Sequence, residues 1–273
     1  MRNTFIQSYF RLIILLLRFD VLTSAFFIYL SFSKGGKSMK RSLTLSLTYL
    51  WRILKFLLLL VLILLPQFSL LLPKYLPTNF SHPNLAMWGF FLTSYALVLF
   101  CLIWQYTKFA PQARHLKKFT HQDVIMIATS FFALYGLKYV YMLLLPTSSA
   151  TQNDAAISKM FSLSVSVAFM MAFMTAIMAP ICEELLFRGI FMSYFFKNYA
   201  WCAIFFSGLV FGLIHVHAGD NYLVPLLYCS IGWILAYSYR KTNNILVSIT
   251  IHFLNNLLPA IALLISSLSQ LMK

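Results

Sequence analysis

The stretch PICEELLFRG, residues 180–189, places two adjacent glutamates and an arginine inside a long apolar segment. Glu183 and Glu184 are the only glutamates in the 273-residue chain. An ionisable side chain in a bilayer is costly and indicates a functional site. Residues four apart share a helix face, so Glu184 and Arg188 are predicted to pair. Glu183 lies about 100° round the helix from Glu184 and is left for another role, although a purely structural ion pair remains the alternative.

The composition is typical of a membrane protein. Hydrophobic residues make up 61% of the chain and charged residues 10%, and the mean hydropathy is +0.81. Soluble domains are nearer about half apolar and a quarter charged. The formal net charge of +15 would suit a nucleic-acid-binding protein, but the basic residues flank apolar segments, as the positive-inside rule expects. We therefore predict a multi-pass protein of the cell membrane that binds no nucleic acid and keeps its basic loops in the cytoplasm.

Apolar segments separated by short polar loops predict an all-α fold, a polytopic transmembrane helix bundle of about seven to eight membrane helices. The predicted helices lie near Ile53–Leu72, Leu85–Tyr106, Val124–Leu145, Met160–Phe196, Ala200–His215, Tyr222–Tyr239 and Ile245–Leu268. The fourth would be about 55 Å long, so it is strongly tilted, broken at Pro180, or double, and a double crossing would reverse the orientation of everything after it. Pro66, Pro180 and Pro259 are expected to kink their helices rather than end them.

Three parts are predicted along the chain: an N-terminal segment of uncertain role, 1–48, supporting transmembrane helices, 49–159, and a catalytic-type membrane core, 160–273. The run from Lys34 to Met39 can be encoded as AAA-GGA-GGA-AAA-AGT-ATG, which reads as a bacterial ribosome-binding site and a start codon. A true start at Met39 is therefore a hypothesis. Mass spectrometry of the expressed protein tests it, and a peptide spanning residues 30–45 would disprove it.

Other polar residues lie in the later apolar segments, His215 at a depth similar to that of Glu183 and His252 several ångström shallower, a difference that helix tilt could absorb. Glu183 is roughly 20 Å along its helix from the turn at 197–198, and His215 is roughly 25 Å from that turn along the next helix. Helices joined by a short turn are antiparallel neighbours, so these two side chains are predicted to meet. His252 lies roughly 13 Å into the last helix, and Asn256 shares its face. The alternatives are an interfacial histidine at 215 and a simple interhelical hydrogen bond at 252 and 256.

A carboxylate, two imidazoles and an amide that converge in a membrane indicate a hydrolytic or metal site. Neutral imidazoles bind zinc, and catalytic zinc keeps an open position for water. A glutamate beside that water is a suitable general base. The chain has no H-E-x-x-H motif, no G-x-S-x-G motif and no pair of aspartates within its clear apolar segments. These absences argue against three other types of membrane protease.

Three motifs resemble those of the CAAX protease and bacteriocin-processing family of intramembrane metalloproteases, also called the Abi family. They are Glu183-Glu184-x-x-x-Arg188, Phe211-x-x-x-His215 and His252-x-x-x-Asn256, in that order over about 178–258. The resemblance implies the catalytic residues Glu183, Glu184, Arg188, His215, His252 and Asn256. In this scheme Glu183 activates water and Asn256 stabilises the oxyanion. The implied metal ligands are His215, His252 and Glu183 with zinc as the ion, and the resemblance leaves open whether a metal takes part.

The resemblance also implies a peptide or protein substrate, such as a bacteriocin precursor or a lipidated protein, met at the lipid bilayer. Eukaryotic relatives remove the last three residues of prenylated CAAX proteins, and bacterial relatives are associated with bacteriocin maturation, self-immunity or surface-protein display. We therefore predict an intramembrane endopeptidase that uses glutamate-activated water. The alternative is a non-proteolytic immunity or scaffold protein with the same fold. A transporter is disfavoured because the chain shows no repeated half with broken helices.

Overall fold

A computed structural model describes residues 37–77, 79–109, 117–144 and 151–272, with side chains described from residue 44 onward. The regular structure in these ranges is entirely helical, which confirms the predicted all-α class. The helices are α1 (Lys37–Ile63), α2 (Leu72–Tyr75), α3 (Pro83–Phe109), α4 (His121–Leu144), α5 (Gln152–Phe161), α6 (Val165–Phe195), α7 (Ala200–Leu213), α8 (Val224–Thr242) and α9 (Ile245–Leu271). A 3₁₀ helix, Leu65–Leu71, connects α1 to α2.

The chain divides into two compact units, Met1–Lys55 and Phe56–Lys273. In the first unit, the part of α1 with described side chains places the Lys55 ammonium 4.8 Å from the centre of the Trp51 ring. Residues 1–36, which make up most of the predicted N-terminal segment, lie outside the described residues. The second unit contains the whole candidate site. The predicted boundary between residues 159 and 160 and the start at Met39 stay predictions.

Five described helical segments are long and apolar enough to cross a membrane. They are Thr44–Tyr75, Pro83–Phe109, His121–Leu144, Val165–Phe195 and Ile245–Leu271. The shorter apolar helix α7 and the more polar helix α8 pack among them. The protein is therefore a multi-pass membrane protein, and the predicted count of seven to eight membrane helices is approximately right.

Helix α6 is one continuous segment, so the double crossing considered for 160–196 is wrong. It begins at Val165 because the Ser164 hydroxyl caps it, accepting a hydrogen bond from the Val167 N–H at 3.2 Å. The preceding residues form the separate helix α5. Two π-helical stretches, Met174–Met178 and Leu185–Phe191, interrupt the α-helical geometry of α6 without ending it. The reason to reverse the orientation of the later helices is thereby removed.

The three prolines lie within continuous helical segments. Pro180 and Pro259 lie inside α6 and α9, as predicted. Pro66 lies in the first turn of the 3₁₀ helix, after α1 ends at Ile63, but inside the helical segment Thr44–Tyr75. A first turn accepts proline without loss, since its N–H would have no helical partner there. Pro66 therefore changes the helix type without ending the segment, which agrees with the prediction.

Glycines let α7 and α8 pack at close range. A Cβ on Gly208 would lie 2.7 Å from the Trp233 backbone nitrogen, and one on Gly212 would lie 2.5 Å from that of Cys229. A Cβ on Gly232 would lie 2.7 Å from the Gly208 carbonyl oxygen. Small residues four apart permit such approach between membrane helices. Helix α9 packs on α4, α6 and α8, and α6 also packs on α7, so α6 lies beside both of the other motif-bearing helices.

Candidate active site

Glu184 is fully buried and joins three helices. Its Oε1 lies 3.0 Å from Arg188 Nη1 and accepts a hydrogen bond of 2.9 Å from His252 Nδ1. Arg188 is also fully buried, and its Nη2 donates to the Gly232 carbonyl at 3.0 Å. The guanidinium lies 4.5 Å from the centre of the Phe211 ring. The predicted pairing of Glu184 with Arg188 is confirmed, and it ties α6 to α8 and α9.

This ion pair is held more by charge than by hydrogen bonds. The contact between Arg188 Nη1 and Glu184 Oε1 has the distance of an ion pair, but its angles are not those of a hydrogen bond. We therefore treat it as a Coulombic contact. Arg188 Nε and Glu184 Oε2 are also buried without a hydrogen-bond partner among the described residues. Removing either charge would leave the other one buried and unpaired.

Glu183 lies on another face of α6 and reaches both histidines. Its Oε2 is 4.0 Å from His215 Nε2 and 3.9 Å from His252 Nε2. The Glu183 and His215 side chains are 19% and 18% exposed, whereas that of His252 is 5% exposed. The structure thus brings these three predicted residues together at a site that is mostly buried but open on one side. Their chemical roles stay predictions.

Both imidazoles are oriented through their other ring nitrogen. His215 Nδ1 lies 2.7 Å from the Phe211 carbonyl oxygen, and His252 Nδ1 lies 2.9 Å from Glu184 Oε1. Carbonyl and carboxylate oxygens only accept hydrogen bonds, so these partners assign the hydrogen to Nδ1 in each ring. In the neutral imidazoles, both Nε2 atoms then present a lone pair to the Glu183 carboxylate. In that neutral form, the three facing atoms are all hydrogen-bond acceptors.

Two aromatic rings fix the plane of His215. Its ring centre lies 4.6 Å from that of Phe211 and 5.0 Å from that of Tyr228, which is stacked at 20°. The Tyr228 hydroxyl shares a hydrogen bond of 3.1 Å with the Thr151 hydroxyl and accepts one of 3.4 Å from Asn153 Nδ2. Tyr228 therefore links His215 to the start of α5. No spacing in the sequence pointed to Tyr228, because its stacking on His215 depends on how α7 and α8 cross.

Asn256 contacts α6 a little over two turns before the glutamates. Its Nδ2 donates to the Thr175 carbonyl at 3.0 Å, and its Oδ1 accepts from Asn255 Nδ2 at 2.9 Å. One amide hydrogen of Asn256 is thus engaged, and one remains for another acceptor. The structure places Asn256 on the same helix as His252, as predicted, but gives it a structural partner that the sequence analysis missed.

The Thr175 carbonyl needs this partner because α6 leaves it without one. In an α-helix it would accept from the Ala179 N–H, but in the π-helical stretch that N–H bonds to the Met174 carbonyl. The next residue, Pro180, lies five positions after Thr175 and has no N–H to donate. Asn256 therefore supplies the hydrogen bond that the proline removes. The sequence feature that could have predicted this contact is a proline inside a membrane helix.

We expect Asn256→Ala to lower the stability of the folded protein by about 1–3 kcal/mol, because it leaves the Thr175 carbonyl unsatisfied within the membrane-spanning segment. Pro180→Ala restores an N–H near that carbonyl. In a Pro180→Ala background, Asn256→Ala should therefore cost less, with a coupling of about 0.5–3 kcal/mol. Unfolding of the four proteins in detergent measures this cycle. Strictly additive losses would show that the two residues do not share the carbonyl.

The donor types of the site fit zinc, but their spacing is wide. Two Nε2 lone pairs and a carboxylate are common zinc ligands, and an oxygen acceptor on the other ring nitrogen is typical of zinc-bound histidine. Ligands about 2.1 Å from a tetrahedral ion lie about 3.4 Å apart, whereas the contacts here are 3.9 and 4.0 Å. Among the described residues, no group of three or more His, Cys, Asp or Glu side chains is arranged to hold a metal ion.

Part of the chain matches the model of a known protein family. Residues 165–258 match the family model described as Type II CAAX prenyl endopeptidase Rce1-like. The matched segment begins with α6 and ends within α9, so it includes all three motifs, Tyr228 and the contact between Asn256 and Thr175. No curated protein and no solved structure gives a significant match to the chain. Residues 165–258 are thus similar to the type II CAAX prenyl endopeptidases, which is consistent with the CAAX protease family that the three motifs predicted.

Proposed function

We propose that the protein is an intramembrane endopeptidase in which Glu183 activates a water molecule. The observation that carries the proposal is the meeting of three acceptor atoms, Glu183 Oε2 and the Nε2 atoms of His215 and His252. Contacts near 4 Å between polar atoms are too long for hydrogen bonds and suit a bridging water. A water at about 2.8 Å from these atoms would donate one hydrogen to the carboxylate and one to an imidazole. The similarity of residues 165–258 to type II CAAX prenyl endopeptidases supports the endopeptidase part of the proposal.

In this mechanism Glu183 takes a proton from the water as the water oxygen attacks the peptide carbonyl. The carboxylic acid so formed then returns the proton to the leaving amine. One of the two imidazoles, His215 or His252, positions the water by accepting its second hydrogen at Nε2, and Glu184 and the Phe211 carbonyl fix the ring orientations. The remaining N–H of Asn256 is the proposed donor to the oxyanion, where one donor contributes roughly 3 kcal/mol.

If a zinc ion binds, Glu183, His215 and His252 would hold it, and it would polarise the carbonyl and acidify the water. Because these side chains stand further apart than a metal-holding set, we expect proteolysis to persist after dialysis against EDTA and then 1,10-phenanthroline. Elemental analysis of the same sample measures the remaining zinc. Loss of activity on chelation that returns with added Zn²⁺ would contradict the metal-independent mechanism and support the zinc-dependent one.

The proposed substrate is a peptide or protein that reaches the site from the membrane, such as a bacteriocin precursor or a lipidated protein. The test uses the full chain in lipid nanodiscs with two kinds of substrate. One is a farnesylated peptide that ends in a CAAX sequence, and the other is a membrane fraction from the expression host. Mass spectrometry then identifies new peptide termini. Termini that appear with the wild type and not with Glu183→Gln support the proposal.

The second candidate function is a non-proteolytic immunity or scaffold protein. The network of Glu184, Arg188, His252 and Gly232 favours it, because these contacts join three helices and need no chemistry. Interhelical polar contacts in membranes average only about 0.6 kcal/mol, so such a protein should tolerate conservative changes at Glu183. The variant Glu183→Gln therefore distinguishes the two functions.

A further inference from the structure

A second polar feature lies where α4 begins and α8 ends, away from the glutamates. A cavity of about 580 Å³ opens there, and three exposed lysines, Lys117, Lys118 and Lys241, line it. Asp123 is the one carboxylate among its described lining residues. Three positive charges thus face one negative charge, so the cavity is suited to an anionic group.

The single carboxylate is already engaged in the fold. Asp123 is buried, and its Oδ2 accepts from the Thr120 N–H at 2.9 Å and from Asn244 Nδ2 at 3.4 Å. These bonds cap the beginning of α4 and tie it to the beginning of α9. Asp123 therefore stabilises the beginnings of two helices, and the lysine ammonium groups remain available to a ligand.

The cavity is amphiphilic along the membrane normal. Its lining runs from Thr120 to Thr129, which is about 14 Å along the helix. It includes Met126 and Ile125, which is 48% exposed. Because α4 is a candidate membrane span that starts at His121, we expect the lysines at headgroup level and the apolar wall beside the acyl chains. A small soluble anion would leave that wall uncovered.

We propose that this cavity binds the phosphate of an anionic phospholipid, with an acyl chain along Ile125 and Met126. Basic pockets between transmembrane helices on the cytoplasmic side bind acidic headgroups, and the predicted orientation puts these lysines on that side. Each lysine near the surface contributes about fivefold in affinity. The proposal does not depend on the protease function, since no residue of the candidate active site lines the cavity.

The experiment measures lipid binding to the purified full chain by native mass spectrometry. Phosphatidylglycerol and phosphatidylcholine are compared on the wild type, on Lys117→Gln/Lys118→Gln/Lys241→Gln, and on a matched control, Lys74→Gln/Lys159→Gln/Lys197→Gln. We expect the wild type and the control to prefer phosphatidylglycerol, and the cavity variant to bind it at least about tenfold more weakly. Equal binding by the cavity variant and the control would overturn the proposal.

Two further measurements use the wild type alone, so they do not depend on folding of the variant. Phosphatidylglycerol should protect the three cavity lysines from acetylation and leave Lys74 and Lys197 reactive, as read by peptide mass spectrometry. Equal protection of all five lysines would contradict a site. Inorganic phosphate and glycerophosphoglycerol, which lack acyl chains, should protect poorly. Protection by them as strong as by the lipid would show a site for soluble phosphate and would also overturn the proposal.

Discussion

Replacing Glu183 with glutamine should abolish proteolysis while the protein stays folded. Removal of a general base typically costs about 10²–10⁴-fold in rate, because the amide cannot accept a proton from water. The size of the side chain hardly changes. The glutamine NH₂ would also face the two Nε2 lone pairs that Glu183 now faces at 3.9 and 4.0 Å, and it can donate to them. The fold should therefore tolerate the change, and the activity should be lost because the proton acceptor is missing, not because the protein unfolds.

The measurement pairs new peptide termini with the abundance of each variant in the membrane. His215→Gln should also lose activity, whereas the matched change His217→Gln should not. The His217 side chain is exposed, and its contact with Asp220 is made by the backbone N–H at 2.7 Å. If Glu183→Gln is present at normal levels and retains full biological function, the proteolytic mechanism fails. The family resemblance of residues 165–258 would then mark a fold that serves binding instead of catalysis.

The meeting of Glu183 with His215 and His252 could be predicted because depth in a membrane helix is proportional to residue number. Short turns also force sequential helices to be antiparallel. This argument needs only the residue count from each turn and the helical rise. The pairing of Glu184 with Arg188 was equally accessible, since it is set by spacing within one helix. Residue counts along single helices were therefore sufficient to predict which residues meet at the centre of the site.

The contacts that surround the site could not be predicted from residue counts along single helices. The contact between Asn256 and Thr175 depends on which carbonyl a π-helical stretch leaves free, and that follows from the backbone conformation of α6. The stacking of Tyr228 on His215 depends on the close packing of α7 and α8 at Gly208 and Gly232. Both are tertiary consequences of how helices cross. The periodicity of a single helix does not predict either contact.

Replacing Glu184 with glutamine should lower the stability of the folded protein strongly and the activity per folded molecule only moderately. Glu184 and Arg188 are both 0% exposed and 3.0 Å apart, and breaking a buried ion pair from one side costs about 3–5 kcal/mol. Glutamine still offers an oxygen to the Nδ1–H of His252, so that ring keeps its orientation toward Glu183. The activity of the protein that remains folded should therefore fall less than in Glu183→Gln.

Arg188→Met should be destabilising for the converse reason, because it leaves the Glu184 carboxylate buried without its cation. It also removes the hydrogen bond to the Gly232 carbonyl. The double variant Glu184→Gln/Arg188→Met carries no buried charge, and replacing a whole buried pair is often neutral. It should therefore be more stable than either single variant, with a favourable coupling of up to about 3 kcal/mol.

Unfolding in detergent and activity per folded molecule, measured on the same samples, distinguish the two roles of the adjacent glutamates. Glu183→Gln should lose rate at nearly unchanged stability, and Glu184→Gln should lose stability with a smaller change in rate. Equal and complete loss of rate in both variants at wild-type abundance would contradict this division. A double variant as unstable as the sum of the two single changes would show that Glu184 and Arg188 act independently, against the 3.0 Å contact between them.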